Sequence, residues 1–395
     1  MDGTIGDRKL YRIKALKDFS DVKAGDIGGF VDSDGILSQE GTCWIYGTSE
    51  VTGNSIIKDD AKIYGSSTLI INSIIEKDTW IYDSEIYNSR ISGANIKGST
   101  IAESDISDCP NILYSHISEN ADIGGNAYIY KSNITGGMIS KKAKILKSEI
   151  RENSKISDDA LIEDSWIDNN ASVYGYANVK ESRMYNNSKA YDNAFIHKSY
   201  IYGDVKIYGN ANVTDKSFIS GNVEIFGNAI VVDSKFRSFS KIYDNAYIKG
   251  SFVYGNAKIY GNAHIDKSYL SGDCEVFQRA FICNQASISD DAKVYGDINI
   301  IGKCNIGKYA SVYNESQILY FPENAKCKED ITFYIGKNNE LYVLIDKNKA
   351  YTIDELKDLI SKHKVLYDYG IYLDFADKYF NSNSPENFKD YDPNS

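Results

Sequence analysis

A short motif returns every 17 or 18 residues through the middle of this chain, and so short a period leaves few folds open. The segments starting at 154, 171, 188, 205, 223, 240, 257, 274 and 292 begin Ser-Lys-Ile-Ser, Ala-Ser-Val-Tyr, Ser-Lys-Ala-Tyr, Val-Lys-Ile-Tyr, Val-Glu-Ile-Phe, Ser-Lys-Ile-Tyr, Ala-Lys-Ile-Tyr, Cys-Glu-Val-Phe and Ala-Lys-Val-Tyr. Each period holds three units of small-x-aliphatic form, as in Ala257-Lys258-Ile259, Ala263-His264-Ile265 and Ser268-Tyr269-Leu270. Residues two apart point to the same side of a short strand, so the small and the aliphatic residue turn inward and the one between them faces solvent. Gly-Asn, Asp-Asn and Lys-Ser pairs between the units tolerate left-handed backbone angles and mark turns. Three strands and three turns make one triangular coil. A single coil cannot bury its own apolar side, so such an array holds together by stacking.

A sandwich or barrel would show hairpin signals roughly every 8–12 residues. Here the signal recurs every five or six residues, too close for hairpins. The expectation is an all-β chain: a single-stranded, left-handed parallel β-helix of 17–18-residue coils with a small C-terminal α+β cap. Handedness is inferred from the six-residue unit. The corner between the second and third strands runs one residue short, since Ile196 and Ile201 lie five apart. Residues 43–321 would hold about sixteen coils, about 75 Å at about 4.8 Å each. From Asn72 to Gly136 the pattern loosens, yet Thr79-Trp80-Ile81, Ala121-Asp122-Ile123 and Ala127-Tyr128-Ile129 keep it in the helix.

An open β-helix needs caps at its bare ends. Residues 1–42 lie outside the repeat and read as an N-terminal cap, with a strand from Arg8 to Leu16 and a turn from Gly25 to Val31 into the first coil. Residues 322–380 read as the C-terminal domain. It comprises a hairpin of Ile331–Gly336 and Glu340–Ile345 around Lys337-Asn338-Asn339, a helix over 353–364 capped by Thr352, and a second helix over Tyr372–Phe380. The polar stretch 381–395 reads as a disordered tail.

Composition narrows the function. The net charge of −11, with acids and bases interleaved, disfavours nucleic acid as a partner, because phosphate contacts need a basic face. No apolar run approaches a membrane span and no signal peptide is visible, so a cytoplasmic protein is expected. Cys43, Cys109, Cys274, Cys283, Cys304 and Cys327 are scattered without CxxC spacing, which spells neither a zinc site nor a disulfide framework. No metal or cofactor is expected.

Four histidines are the candidate general bases. His197 follows a core isoleucine and His264 lies between two core residues, so both should face solvent. His116 sits in the looser stretch and His363 near a helix end, and none has a carboxylate at a recognisable spacing. Asp158-Asp159 and Asp290-Asp291 fall in turns and read as solvated turn residues. Gly-Asn-Ala repeats precede no helix, so phosphate binding is unsupported. No catalytic residue is assigned.

The 32 tyrosines have a pattern. The residue after the first core aliphatic of each coil is Tyr174, Tyr191, Tyr208, Phe226, Tyr243, Tyr260, Phe277, Tyr295 or Tyr313. Stacked coils would set these in one column, about 5 Å apart. A second column precedes the third core aliphatic: Trp166, Tyr200, Phe218, Phe252 and Tyr269, interrupted by Arg183 and Lys235. Such columns stabilise a helix by stacking, or they dock a partner.

The run from Arg12 to Val31, with Gly25-Asp-Ile-Gly-Gly-Phe-Val31, and the following Leu37-Ser-Gln-Glu-Gly-Thr-Cys-Trp-Ile-Tyr46 resemble the opening segment of YdcK-like hexapeptide-repeat proteins. The Tyr-Gly-Asn-Ala-x-Val/Ile units resemble the same family, which occurs in bacteria and is frequent in phages and prophages. The hairpin followed by Tyr351-Thr-Ile-Asp-Glu-Leu-Lys-Asp-Leu-Ile360 is similar to the end domain of phage-encoded members. The resemblance implies the LpxA-like fold of trimeric acyltransferases. It implies little about activity, since fold analogy is a weak warrant for function. The first expectation is a structural or protein-interaction β-helix of the phage type, without catalysis of its own, binding a host or phage protein and interfering with a host defence system. The alternative is an acyltransferase of the hexapeptide-repeat superfamily. A homo-oligomer along one flat side stays open, and no membrane partner is expected.

Overall fold

The computed structural model describes residues 3–5, 8–323, 329–345, 349–362 and 369–382. They fall into two compact units, Met1–Ile196 and His197–Ser395. Both are built from a parallel β-solenoid, and the second also carries a small antiparallel sheet with two helices. The three faces of a coil are named here in chain order, so that Lys258–Ile259, His264–Asp266 and Tyr269–Leu270 lie on the first, second and third face.

In the first unit, Ile45, Ile63, Ile81, Ile96, Ile112, Ile129, Ile145, Ile162 and Val179 stand in register on the second face. All are fully buried. Each such side chain is worth about 1.5–3 kcal/mol over its exposed state, and stacking is the only way these short strands gain it.

The looser stretch belongs to the solenoid. Its irregularity is a change of corner. From Ile81 to Ile106 the core residues recur every five positions, at Ile81, Ile86, Ile91, Ile96, Ile101 and Ile106, all fully buried. Every corner here is as tight as the second-to-third corner of the regular coils. A tight corner turns on one residue of positive φ, such as Asp83 (42°), Asn88 (47°) or Glu103 (49°), and serine usually follows.

Those serines form a hydrogen-bonded column. Ser84 Oγ donates to the Tyr82 carbonyl two residues back (2.7 Å) and accepts the Ser99 N–H from the next coil (3.1 Å). The relay continues from Ser99 to Ser115, Ser132, Ser148, Ser165 and Ser182. In the second unit it links Ser217, Ser234, Ser251 and Ser268. One hydroxyl thus closes its own corner and receives the next coil, and leaves no buried N–H orphaned at these sites.

The N-terminal segment enters the solenoid directly. Ile27–Val31, expected as part of a turn, is a strand. It pairs antiparallel with Arg8–Lys14 and parallel with Glu50–Thr52. Gly28 and Gly29 permit this approach, since a Cβ would lie 2.5 Å from the Ile45 carbonyl oxygen at one and 2.4 Å from that of Ser49 at the other.

At the other end, Ile318–Phe321, Ile331–Ile335, Leu341–Ile345 and Lys349–Thr352 make a four-stranded antiparallel sheet. The expected hairpin is its centre. Ile318–Phe321 lies within the range expected for the β-helix, but pairs only with this sheet. Thr332 Oγ1 accepts the Asn305 N–H (2.9 Å) and Tyr334 donates to the Lys308 carbonyl (3.2 Å), which ties the sheet to the last coils. Helix α1 (Ile353–Lys362) starts on a reciprocal cap, with Thr352 accepting from Glu355 N–H (3.2 Å) and Glu355 from Thr352 N–H (2.9 Å). Helix α2 spans Tyr369–Ser382, so it begins before Tyr372 and takes in Asn381 and Ser382, which were expected in a disordered tail. His363, Cys327 and residues 383–395 lie outside the described residues. No helix among the described residues is long and apolar enough to cross a membrane.

Candidate functional site

The histidines do not assemble a catalytic group. His264 faces outward as expected, but its ring lies 4.6 Å from that of Tyr247 and 4.8 Å from that of Phe281. Burial between them holds its pKa below the ordinary value. His116 is exposed, in register with Thr100 and Asn133. No hydrogen bond joins either ring to a carboxylate among the described residues. His197 lies at the edge of a strand that runs from Phe195.

The paired aspartates sit in turns. Asp158 accepts the Gly175 N–H (3.1 Å) and pairs with Lys141. Asp291 accepts the Tyr309 N–H (2.8 Å) and pairs with Lys337 (2.5 Å). No metal-binding cluster occurs among the described residues. Burial pushes the Cys274 and Cys304 thiols up to about 12, so neither is a ready nucleophile.

One shallow open groove of about 570 Å³ lies on the corner between the third and first faces of the first unit, lined by Asn88, Arg90, Glu103, Ser104, Asp105, Asn120, Ala121 and Asp122. It arises where the corner steps from five residues (Ile101 to Ile106) to six (Ile117 to Ile123). Arg90 is committed to the buried Glu76 (2.7 Å), which also holds Lys58 (2.8 Å). The groove has no histidine or cysteine, and offers no acid–base pair.

The aromatic columns divide by face. On the first face Tyr174 and Tyr191 stack at 5.0 Å in the first unit. In the second unit Tyr208, Phe226, Tyr243, Tyr260, Phe277 and Tyr295 stack at 4.8–5.0 Å with planes within 5° of parallel, and Tyr313 follows at 5.4 Å, tilted. Ring faces are therefore turned to each other and only edges point outward. Beside this column runs an ionic one, in which Glu224 bridges Lys206 (2.9 Å) and Lys241 (3.1 Å) and Glu275 bridges Lys258 (3.2 Å) and Lys293 (3.3 Å).

The third face is open by comparison. In the first unit Trp166 lies between the guanidinium groups of Arg151 (4.5 Å) and Arg183 (5.4 Å). In the second unit Tyr200 and Phe218 stand in register, Lys235 lies over Phe252 (5.2 Å), and Phe252 stacks on Tyr269 (5.3 Å). Arg183 and Lys235, expected as interruptions, carry the column on through cation–π contact. Beyond the core residue of each coil lies a parallel row, Tyr202, Ser220, Arg237, Tyr254 and Ser271, unmarked by the spacing because its residues alternate in type. Tyr200 is 45% exposed, Tyr202 53% and Tyr269 41%, with Phe239 at 60% on the adjoining corner. From Tyr200 to Ser271 the outward positions of this face hold rings, two cations and serines, and no carboxylate.

A second cluster missed in the sequence lies at the N-terminal cap. Tyr46, Tyr64 and Tyr82 stack at 4.2 and 4.7 Å, and Asp21 accepts from the Tyr46 hydroxyl (2.8 Å) and pairs with Lys62. Those two partners hold the Asp21 carboxyl far below its ordinary pKa, and the cluster clamps the Phe19–Val22 turn to the solenoid.

No family model matches the chain. A curated relative, the uncharacterized acetyltransferase YdcK of Escherichia coli (strain K12), is 36% identical over 86 residues, which are 22% of this chain and 26% of that protein. The match thus spans about a quarter of the relative's length. A solved structure from Desulfovibrio desulfuricans G20, provisionally assigned as an acetyltransferase, aligns over 59% of this chain and 68% of its own with 9% identity and a TM-score of 0.17. A TM-score that low carries no argument. The chain has a partial likeness to a YdcK-type protein, in keeping with its hexapeptide-like repeats.

Proposed function

We propose that the protein is a binding module without catalysis of its own, which docks a protein partner on the third face of its second unit. The observation that supports this reading is the exposure of Tyr200, Tyr202 and Tyr269 on a strand face, where the stacked rings Tyr208 to Tyr295 of the first face are half-buried or buried. Tyrosine and arginine dominate protein-binding hot spots, and this face joins both. By the resemblance to phage-associated hexapeptide-repeat proteins, the partner would be a host or phage protein. The test is affinity capture from a bacterial lysate with the full chain and with a Tyr200→Ala/Tyr269→Ala variant of unchanged melting temperature. A partner recovered by the first and lost by the second is the expected result; equal recovery would sink the reading.

The partial match to an acetyltransferase favours a second reading, acyl transfer with His264 as base. Its lowered pKa would keep it neutral near pH 7, as a base requires. Incubation with acetyl-CoA separates the two. A clear rise in melting temperature, together with acetyl transfer lost in His264→Ala, would replace the binding-module reading.

A further inference from the structure

We infer that the third face of the second unit recognises an extended acidic segment of its protein partner; this rests on that face being the docking surface. The inference comes from where the cations of this unit find their charges. On the first face Lys206, Lys241, Lys258 and Lys293 each lie within 3.3 Å of Glu224 or Glu275. On the third face Lys235 and Arg237 flank the core Phe236, both outward and both exposed. Neither has an ion-pair partner among the described residues. Lys235 rests on the Phe252 ring and Arg237 makes only a backbone bond, from its N–H to the Val253 carbonyl. In a chain of net charge −11, two cations held without acids at the centre of an exposed aromatic face are set up to receive carboxylates.

The dimensions suit a short peptide. Tyr200 to Tyr269 crosses five coils, about 19 Å along the stack, which about six extended residues would span. Carboxylates of such a segment would meet Lys235 and Arg237, and its apolar side chains would lie on the rings above and below. Single-stranded nucleic acid fits less well. It also stacks on aromatics, but it brings one charge per nucleotide, and this face has only two cations to meet them.

The test is selection of a random dodecapeptide display library on the full chain, followed by binding measurements on the recovered peptides. Enriched peptides should carry an excess of Asp and Glu. They should bind Lys235→Glu/Arg237→Glu at least tenfold more weakly than the unaltered chain, and weaken as salt rises. An unchanged melting temperature in that variant excludes misfolding. Recovered peptides without acidic excess, or equal binding to the charge-reversed variant, would overturn the inference. If such neutral peptides still lose affinity on Tyr200→Ala/Tyr269→Ala, the docking face stands and only its acidic preference falls. If they are indifferent to both variants, the docking face falls as well. An oligothymidine that binds tighter than any recovered peptide, and is lost on the same charge reversal, would assign the face to nucleic acid and overturn the inference too.

Discussion

The first and third faces of the second unit are built from the same coils, and both carry a column of aromatic rings. On the first face the rings meet plane to plane and every lysine has its glutamate. On the third, Tyr200, Tyr202 and Tyr269 stand more than 40% exposed on a face whose two cations have no ion-pair partner among the described residues. A column whose rings and charges are largely covered by its own neighbours stabilises the fold; one whose rings stay exposed beside cations without an ion-pair partner can also meet a partner. Abundance of aromatics therefore says little about binding, and what decides it is how much of each ring the neighbouring coils leave exposed.

The largest effect that would test this contrast comes from truncating the two columns separately. Tyr208→Ser, Phe226→Ser and Tyr243→Ser together should cost about 4 kcal/mol, from about 1–2 kcal/mol per ring in burial and stacking. That is a fall of roughly 10 °C in melting temperature. Tyr200→Ser, Tyr202→Ser and Tyr269→Ser together should stay within about 1 kcal/mol, so similar losses for both triples would erase the distinction. A smaller effect lies at the tight corner between the second and third faces. Ser234→Ala removes the acceptor of the buried Ser251 N–H and the donor to the Val232 carbonyl, at a cost of about 1–3 kcal/mol in urea unfolding.

Between these two faces, acid should act on the first, since the outward positions of the third hold no carboxylate. The hydrogen bond from Lys206, reinforced by Lys241, holds the Glu224 carboxyl below its ordinary 4.5. The unfolded chain thus takes up the proton first as pH falls. The contribution of Glu224 is complete above about pH 4.5 and is lost as pH drops through the folded value. Glu224→Gln should flatten the decline of stability between pH 5 and pH 3, by about 1 kcal/mol or less. Smallest is the term from His264 on the second face. Its folded pKa lies below 6.5, so stability should sag by a few tenths of a kcal/mol as pH falls below that value. His264→Phe should remove the sag, as read by chemical denaturation at pH 7.5 and 5.5.

The coil and its core were legible because small and aliphatic residues recur two apart, a signal that sterics impose on every strand. The first-face rings were legible for the same reason, and their observed 4.8–5.4 Å spacing is that of neighbouring strands. Other features were hidden by distance along the chain. Ser148 and Ser165 each read as a turn residue, and only the stacked coils reveal that one hydroxyl serves the next serine's N–H. The five-residue corners between Ile81 and Ile106 looked like lost regularity, because a period was sought where the coil length itself had shrunk. Lys235 read as a break in the ring column and Arg237 carried no signal, until the stacked coils showed that the outward positions around them hold no acid. The strand Ile318–Phe321 resembles a coil strand locally, and only its antiparallel partner assigns it elsewhere.

The serine relay also makes length a modular quantity. Every rung presents the same donor and acceptor to its neighbours, so removing residues 234–250 would let Ser251 meet Ser217 as Ser234 now does. Phe226 would then face Tyr260, and Glu224 would face Lys258, restoring both first-face ladders across the splice. The excised turn would take Lys235 and Arg237 with it. In such an architecture whole turns can be inserted or excised while the scaffold heals, so recognition can be gained or discarded by changing the number of turns instead of reshaping a pocket.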